Sequence, residues 1–150
     1  MVRLKIYLTL DEQTEQFCRK VNAQVRRITD SAIVFSETSL MIPHISLVTG
    51  ELVSTQTFKA LTTALEALAQ GVNPLTLWLT QLYIEPLQGR YVLCGIQENP
   101  ALTELRESIS EGLLDTYLSL PVTRPFAPHL TLAHIDARQE RSRPISARSK

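Results

Sequence analysis

Residues 3–10 alternate strictly, with Leu4, Ile6, Leu8 and Leu10 on one side and Arg3, Lys5, Tyr7 and Thr9 on the other. Period two is the mark of a half-buried strand. Asp11 then offers a helix N-cap with Glu12 and Glu15 in the first turn, where negative charge is favoured. Phe17, Val21, Val25 and Ile28 follow at steps of four, four and three, predicting one apolar stripe on that helix. Ala32-Ile33-Val34-Phe35 predicts a short strand and residues 36–39 a loop. His44-Ile45-Ser46-Leu47-Val48 after Pro43 is β-rich and closes at Gly50. A second helix is expected over residues 54–70, with Phe58, Leu61, Leu65 and Leu68 on one side and Gly71 ending it. Residues 75–85 and 90–97 predict two strands joined through Pro86-Leu87-Gln88-Gly89. Asn99 caps a third helix beginning at Pro100, with the stripe Leu102, Leu105, Ile109 and Leu113. Pro121, Pro125 and Pro128 mark an extended loop, and His129-Leu130-Thr131-Leu132-Ala133 is the last predicted strand.

This order contains an internal repeat. A strand holding Tyr7, a capped helix and a loop lead to Pro43-His44-Ile45-Ser46-Leu47. A strand holding Tyr91, a capped helix and a loop lead to Pro128-His129-Leu130-Thr131-Leu132. The repeat predicts an α+β fold of two lobes, about residues 1–74 and 75–135, related by approximate two-fold symmetry. Residues 136–150 are polar and rich in Arg and Ser, and are expected to form a mobile, basic tail.

The repeated motif has chemical content. Side chains alternate along a strand, so His44 and Ser46 share a face, as do His129 and Thr131, while Ile45, Leu47, Leu130 and Leu132 turn to the core. Two imidazoles, each able to take or give a proton near neutral pH, can divide base and acid roles. The hydroxyls of Ser46 and Thr131 are short donors suited to phosphoryl oxygens. No carboxylate cluster accompanies them, so the scheme needs no metal. A metal site built from His44, His129 and His134 would lack acidic or thiol co-ligands at local spacing. His134, five residues after His129 on a continuing strand, is expected to face the other way as a core or strand-end residue. Tyr7 and Lys5 could border the site, with Tyr7 stacking a base. Arg124, on the loop entering the second motif, could meet a phosphate. Arg90 is less well placed, and Trp78 is read as a packing residue.

Composition narrows the classes. The 150 residues carry 15 Lys+Arg and 15 Asp+Glu with 44% hydrophobic content, which fits one soluble globular domain. Residues 1–135 hold 10 basic and 13 acidic residues, and residues 136–150 hold 5 and 2, so neutrality is a cancellation between body and tail. It excludes a protein that coats nucleic acid through broad positive charge. No apolar run reaches membrane-spanning length. Cys18 and Cys94 form neither a disulfide framework nor a metal motif and read as thiols in a reducing cytosol.

The two H-x-[S/T]-hydrophobic motifs 85 residues apart, each opening a strand, resemble those of the 2H phosphoesterase superfamily. The similarity is to its 2′-5′ RNA ligase-like and 2′,3′-cyclic phosphodiesterase branch and spans residues 3–135, with Ala127–Ala133 especially typical. The first motif has Ser where Thr is commoner. The resemblance implies antiparallel sheets lining a central cleft with helices outside, His44 and His129 as catalytic residues, and Ser46 and Thr131 as phosphate-binding residues. It implies an enzyme opening 2′,3′-cyclic phosphates of RNA ends or small nucleotides, reversible as 2′-5′ ligation, with no cofactor. By the same resemblance His129 activates the nucleophile when the product is a 2′-phosphate; the residues themselves leave the roles open. A cytoplasmic monomer is the expected state. The alternative is a non-catalytic module that binds RNA ends or nucleotide phosphates, and a third option is an interaction domain whose histidines coincide.

Overall fold

The computed structural model describes residues 2–36, 38–86, 89–113, 116–119 and 126–136. In chain order the elements are β1 (Arg3–Leu8), α1 (Glu12–Ile28), β2 (Ile45–Leu52), a 3-10 turn (Thr55–Thr57), α2 (Phe58–Gln70), β3 (Leu79–Pro86), β4 (Gly89–Ile96), α3 (Pro100–Leu113), β5 (Leu118–Ser119) and β6 (His129–Asp136). The fold is α+β, with an open six-stranded sheet of order β1-β2-β6-β4-β3 and β5 paired to β2. The pairs β2–β6, β4–β6 and β2–β5 are antiparallel.

Local chemistry fixes these boundaries. The Asp11 side chain accepts from the Thr14 hydroxyl and from Thr14 N–H at the start of α1, and the hydroxyl bond foremost holds its carboxyl below the usual carboxylate range. Asn99 Oδ1 accepts from the N–H groups of Ala101 and Leu102 at the start of α3, satisfying donors that have no partner within the helix. Gly89, at the start of β4, has a φ of 115°, a conformation that favours glycine.

The chain divides into two compact units. The first comprises Met1–Leu8, Ser46–Trp78 and Ile96–Pro128. Its buried residues include Leu47, Val48 and Leu52 of β2, Leu61 of α2, and Leu102, Ile109 and Leu113 of α3. Helices α2 and α3 pack together, and a Cβ on Gly112 would sit 3.5 Å from Leu68 Cδ1. Strand β5, which the sequence did not signal, pairs Ser119 with Glu51 and Leu118 with Leu52. The second unit comprises Thr9–Ile45, Leu79–Gly95 and His129–Lys150. Its buried residues include Cys18, Phe35, Ile45, Cys94, Leu130, Leu132 and Ala133, with Leu93 buried on the opposite face of β4 from Cys94 and α1 packed on β6.

Four expectations change. Helix α1 buries Cys18 and Asn22, while Phe17 and Ile28 of the expected stripe are exposed, Ile28 at 68%. The reason is polar. Asn22, 0% exposed, donates through Nδ2 to the carbonyls of Ile33 and Leu132, each at 2.8 Å, and accepts through Oδ1 from Phe35 N–H at 3.1 Å. Residues 32–35 do not form a strand. They run beside β6 instead, with Ala32 N–H donating to the His134 carbonyl and His134 N–H to Ser31 Oγ. Strand β3 begins at Leu79, four residues later than expected, and every one of its residues is exposed. Trp78, expected to pack, is exposed as well. No described helix is long and apolar enough to cross a membrane.

Candidate functional site

The first motif begins where β2 begins. Pro43 is buried, His44 half-buried, Ile45 buried and Ser46 half-buried. The second repeats that rhythm at the start of β6, with His129 and Thr131 half-buried and Leu130 buried. Ile45 and Leu130 are directly paired across the antiparallel strands. Paired residues point to the same face, and here both are core residues. The flanking positions therefore present the opposite face. In continuing register His44 comes across from Thr131, with His129 two residues back along β6. His44, His129 and Thr131 all belong to the second unit, and Ser46, next after Ile45, is the first β2 residue of the other.

His44 is anchored through Nδ1, which donates to the Ile42 carbonyl at 2.8 Å. A carbonyl can only accept, so this bond puts the neutral ring's proton on Nδ1 rather than on Nε2.

Beside β6 the register with β4 runs Gly95–His129, Cys94–Leu130 and Leu93–Thr131, then jumps to Val92–Ala133 and Tyr91–His134. Leu132 is thus an extra residue, a β-bulge. Leu132 and Ala133 are both fully buried, so two consecutive side chains go to the core. His134 is thereby returned to the face of His129 and Thr131. The expectation that His134 faces away is corrected: five residues of regular strand would reverse it, but the bulge restores parity. Its ring stacks on Tyr91 with centroids 4.1 Å apart and planes 11° from parallel. At the other end of this run, a Cβ on Gly95 would collide with Thr80 Oγ1 and lie 3.7 Å from Tyr83 Cε1. The glycine across from His129 therefore makes room for a hydroxyl from β3.

Tyr7 lies on the exposed face of β1, in the first unit. Arg124 and the tail from residue 137 onward lie outside the described residues. Arg106 is a residue the sequence reading missed. Its Nε donates to the Leu47 carbonyl at 3.2 Å and its guanidinium lies 4.8 Å over the Phe126 ring. It lines a cavity of about 500 Å³ with Asn99, Thr103, Phe126 and Pro128, the residue before His129. Nothing in the α3 periodicity distinguishes Arg106 from a solvated helix residue. Among the described residues no three or more of His, Cys, Asp and Glu gather as metal ligands.

No curated protein matches the chain. The model of one protein family does, over residues 10–148, taking in both histidine motifs. On that match the chain belongs to the 2′-5′ RNA ligase superfamily.

Proposed function

We propose that this protein is a metal-independent phosphodiesterase that opens 2′,3′-cyclic phosphates of nucleotides or RNA ends. Membership of the superfamily supports a function of the phosphoesterase or ligase kind. The observation that carries the finer reading is the Ile45–Leu130 pairing, which leaves a histidine and a hydroxyl flanking each of two buried, facing residues.

In this reading water attacks phosphorus. One of His44 and His129 takes the proton of the attacking water, and the other gives a proton to the departing ribose oxygen as its P–O bond breaks. The products are a phosphate monoester and a free hydroxyl, so atoms and protons balance. Ser46 and Thr131 donate hydrogen bonds to the non-bridging oxygens, whose charge grows in the transition state. In this reading His44 exchanges its proton through Nε2, its Nδ1 being held by the Ile42 carbonyl. With an RNA 5′-hydroxyl in place of water as the attacking group, and the ribose 3′ oxygen departing with a proton from the acid, the same site joins ends through a 2′-5′ bond. Tyr7 and Arg124 complete the set of proposed substrate contacts. Residues 1–135 would form the catalytic domain. The free, buried thiols of Cys18 and Cys94 suit a reducing, cytoplasmic setting.

The test is a panel of 2′,3′-cyclic nucleotides and RNA ends in the presence of EDTA, with products identified by mass. Turnover to a monoester supports the reading. Saturable binding without product favours the binding module, and activity lost on chelation but restored by zinc or manganese overturns the metal-free scheme.

A further inference from the structure

Strands β4 and β6 present three same-face pairs in succession: Gly95–His129, Leu93–Thr131 and, past the extra residue Leu132, Tyr91–His134. Same-face positions are two residues apart, about 7 Å along an antiparallel strand. The stacked ring pair therefore comes one such step beyond Thr131, on the face that carries the histidine motifs. It does so only because of the bulge, since a regular strand would send His134 into the core beside Leu132. Bulges next to functional sites commonly re-aim a side chain in this way. Both rings are half-buried, so the pair retains reachable aromatic surface.

We propose that the Tyr91–His134 stack is the subsite that takes the substrate's nucleobase. This rests on the phosphodiesterase reading, with phosphorus held by His44, His129, Ser46 and Thr131. One step along the strand matches the span of one ribose between its cyclic phosphate and its base. Flat rings recognise any base through its π-face, so the subsite tolerates all four bases.

The experiment compares kcat/KM for a nucleoside 2′,3′-cyclic phosphate and for the base-free 1-O-methylribose 2′,3′-cyclic phosphate. Tyr91→Leu should lower the first about 5- to 150-fold, chiefly through KM, and leave the second unchanged. Tyr91→Phe, which keeps the ring, should restore the nucleotide reaction. His134→Gln gives the same comparison should Tyr91→Leu fail to fold. Equal loss on both substrates, or loss on neither, overturns the subsite. If the wild-type protein turns over neither substrate, the phosphodiesterase reading falls separately. The subsite is then read by calorimetry with a nucleoside 2′-phosphate: weaker binding to Tyr91→Leu supports it, and unchanged binding or none overturns it.

Discussion

Asn22 shows how one polar side chain can hold a segment that has no secondary structure of its own. Its three hydrogen bonds tie α1 to the backbone at Ile33, Phe35 and Leu132. Removing the amide orphans buried backbone groups, each costly to leave unsatisfied. Asn22→Leu should therefore lose about 3 kcal/mol of stability, seen as a lower urea midpoint at unchanged m-value. Cys18 lies one turn earlier. Burial first, then the nearby Cys94 and Glu15, push its thiol from the ordinary 9.0 up to about 12. The unfolded chain then loses its thiol proton before the folded one does. The stability Cys18 contributes is thus whole below pH 9 and falls as pH rises from 9 towards 12. Urea unfolding near neutrality and at about pH 10.5 should show a steeper loss for wild type than for Cys18→Ala. A shared slope would contradict it. At this scale the placement of His44, Ser46, His129 and Thr131 at the starts of two strands was legible in the sequence, because two copies of one short pattern announce themselves. Asn22 was not, because its partners are backbone atoms up to 110 residues away.

At the scale of elements, what the chain states locally was legible: the alternation of β1, the caps at Asp11 and Asn99, and the starts of β2 and β6 behind Pro43 and Pro128. The long-range features were not. The bulge at Leu132 depends on how β6 registers against β4, and no pattern within Leu130–Ala133 separates it from a regular buried strand. The two-residue strand β5 is specified by its partners Glu51 and Leu52 rather than by periodicity. Gly95 belongs here too, since its need for room comes from Thr80 on a neighbouring strand. Alanine within a strand would ordinarily gain on glycine. Gly95→Ala should instead lose about 1 kcal/mol, because Thr80 on the exposed strand β3 must turn its Oγ1 away from the new Cβ. In a Thr80→Ala background the same change should be tolerated, a coupling of about 1 kcal/mol in a double-mutant cycle. Additive costs would show that the two positions do not share that space.

For the molecule as a whole, neutrality excludes recognition by broad charge and leaves room for the proposed grip of a few groups on one phosphate. The α+β class and the superfamily were both within reach of the sequence, since element order and paired motifs survive in one dimension. The face to which His134 turns was not, since it is settled only when strands pair. The central claim is that His44 and His129 act together as base and acid. Its most direct test is kcat for a nucleoside 2′,3′-cyclic phosphate, with EDTA present, in wild type and in His44→Ala, His129→Ala and the double variant. Each single change should lower kcat by about 100- to 10,000-fold with the fold intact by circular dichroism, and the double variant should be little worse than either. Full activity in either single variant would contradict the two-histidine mechanism.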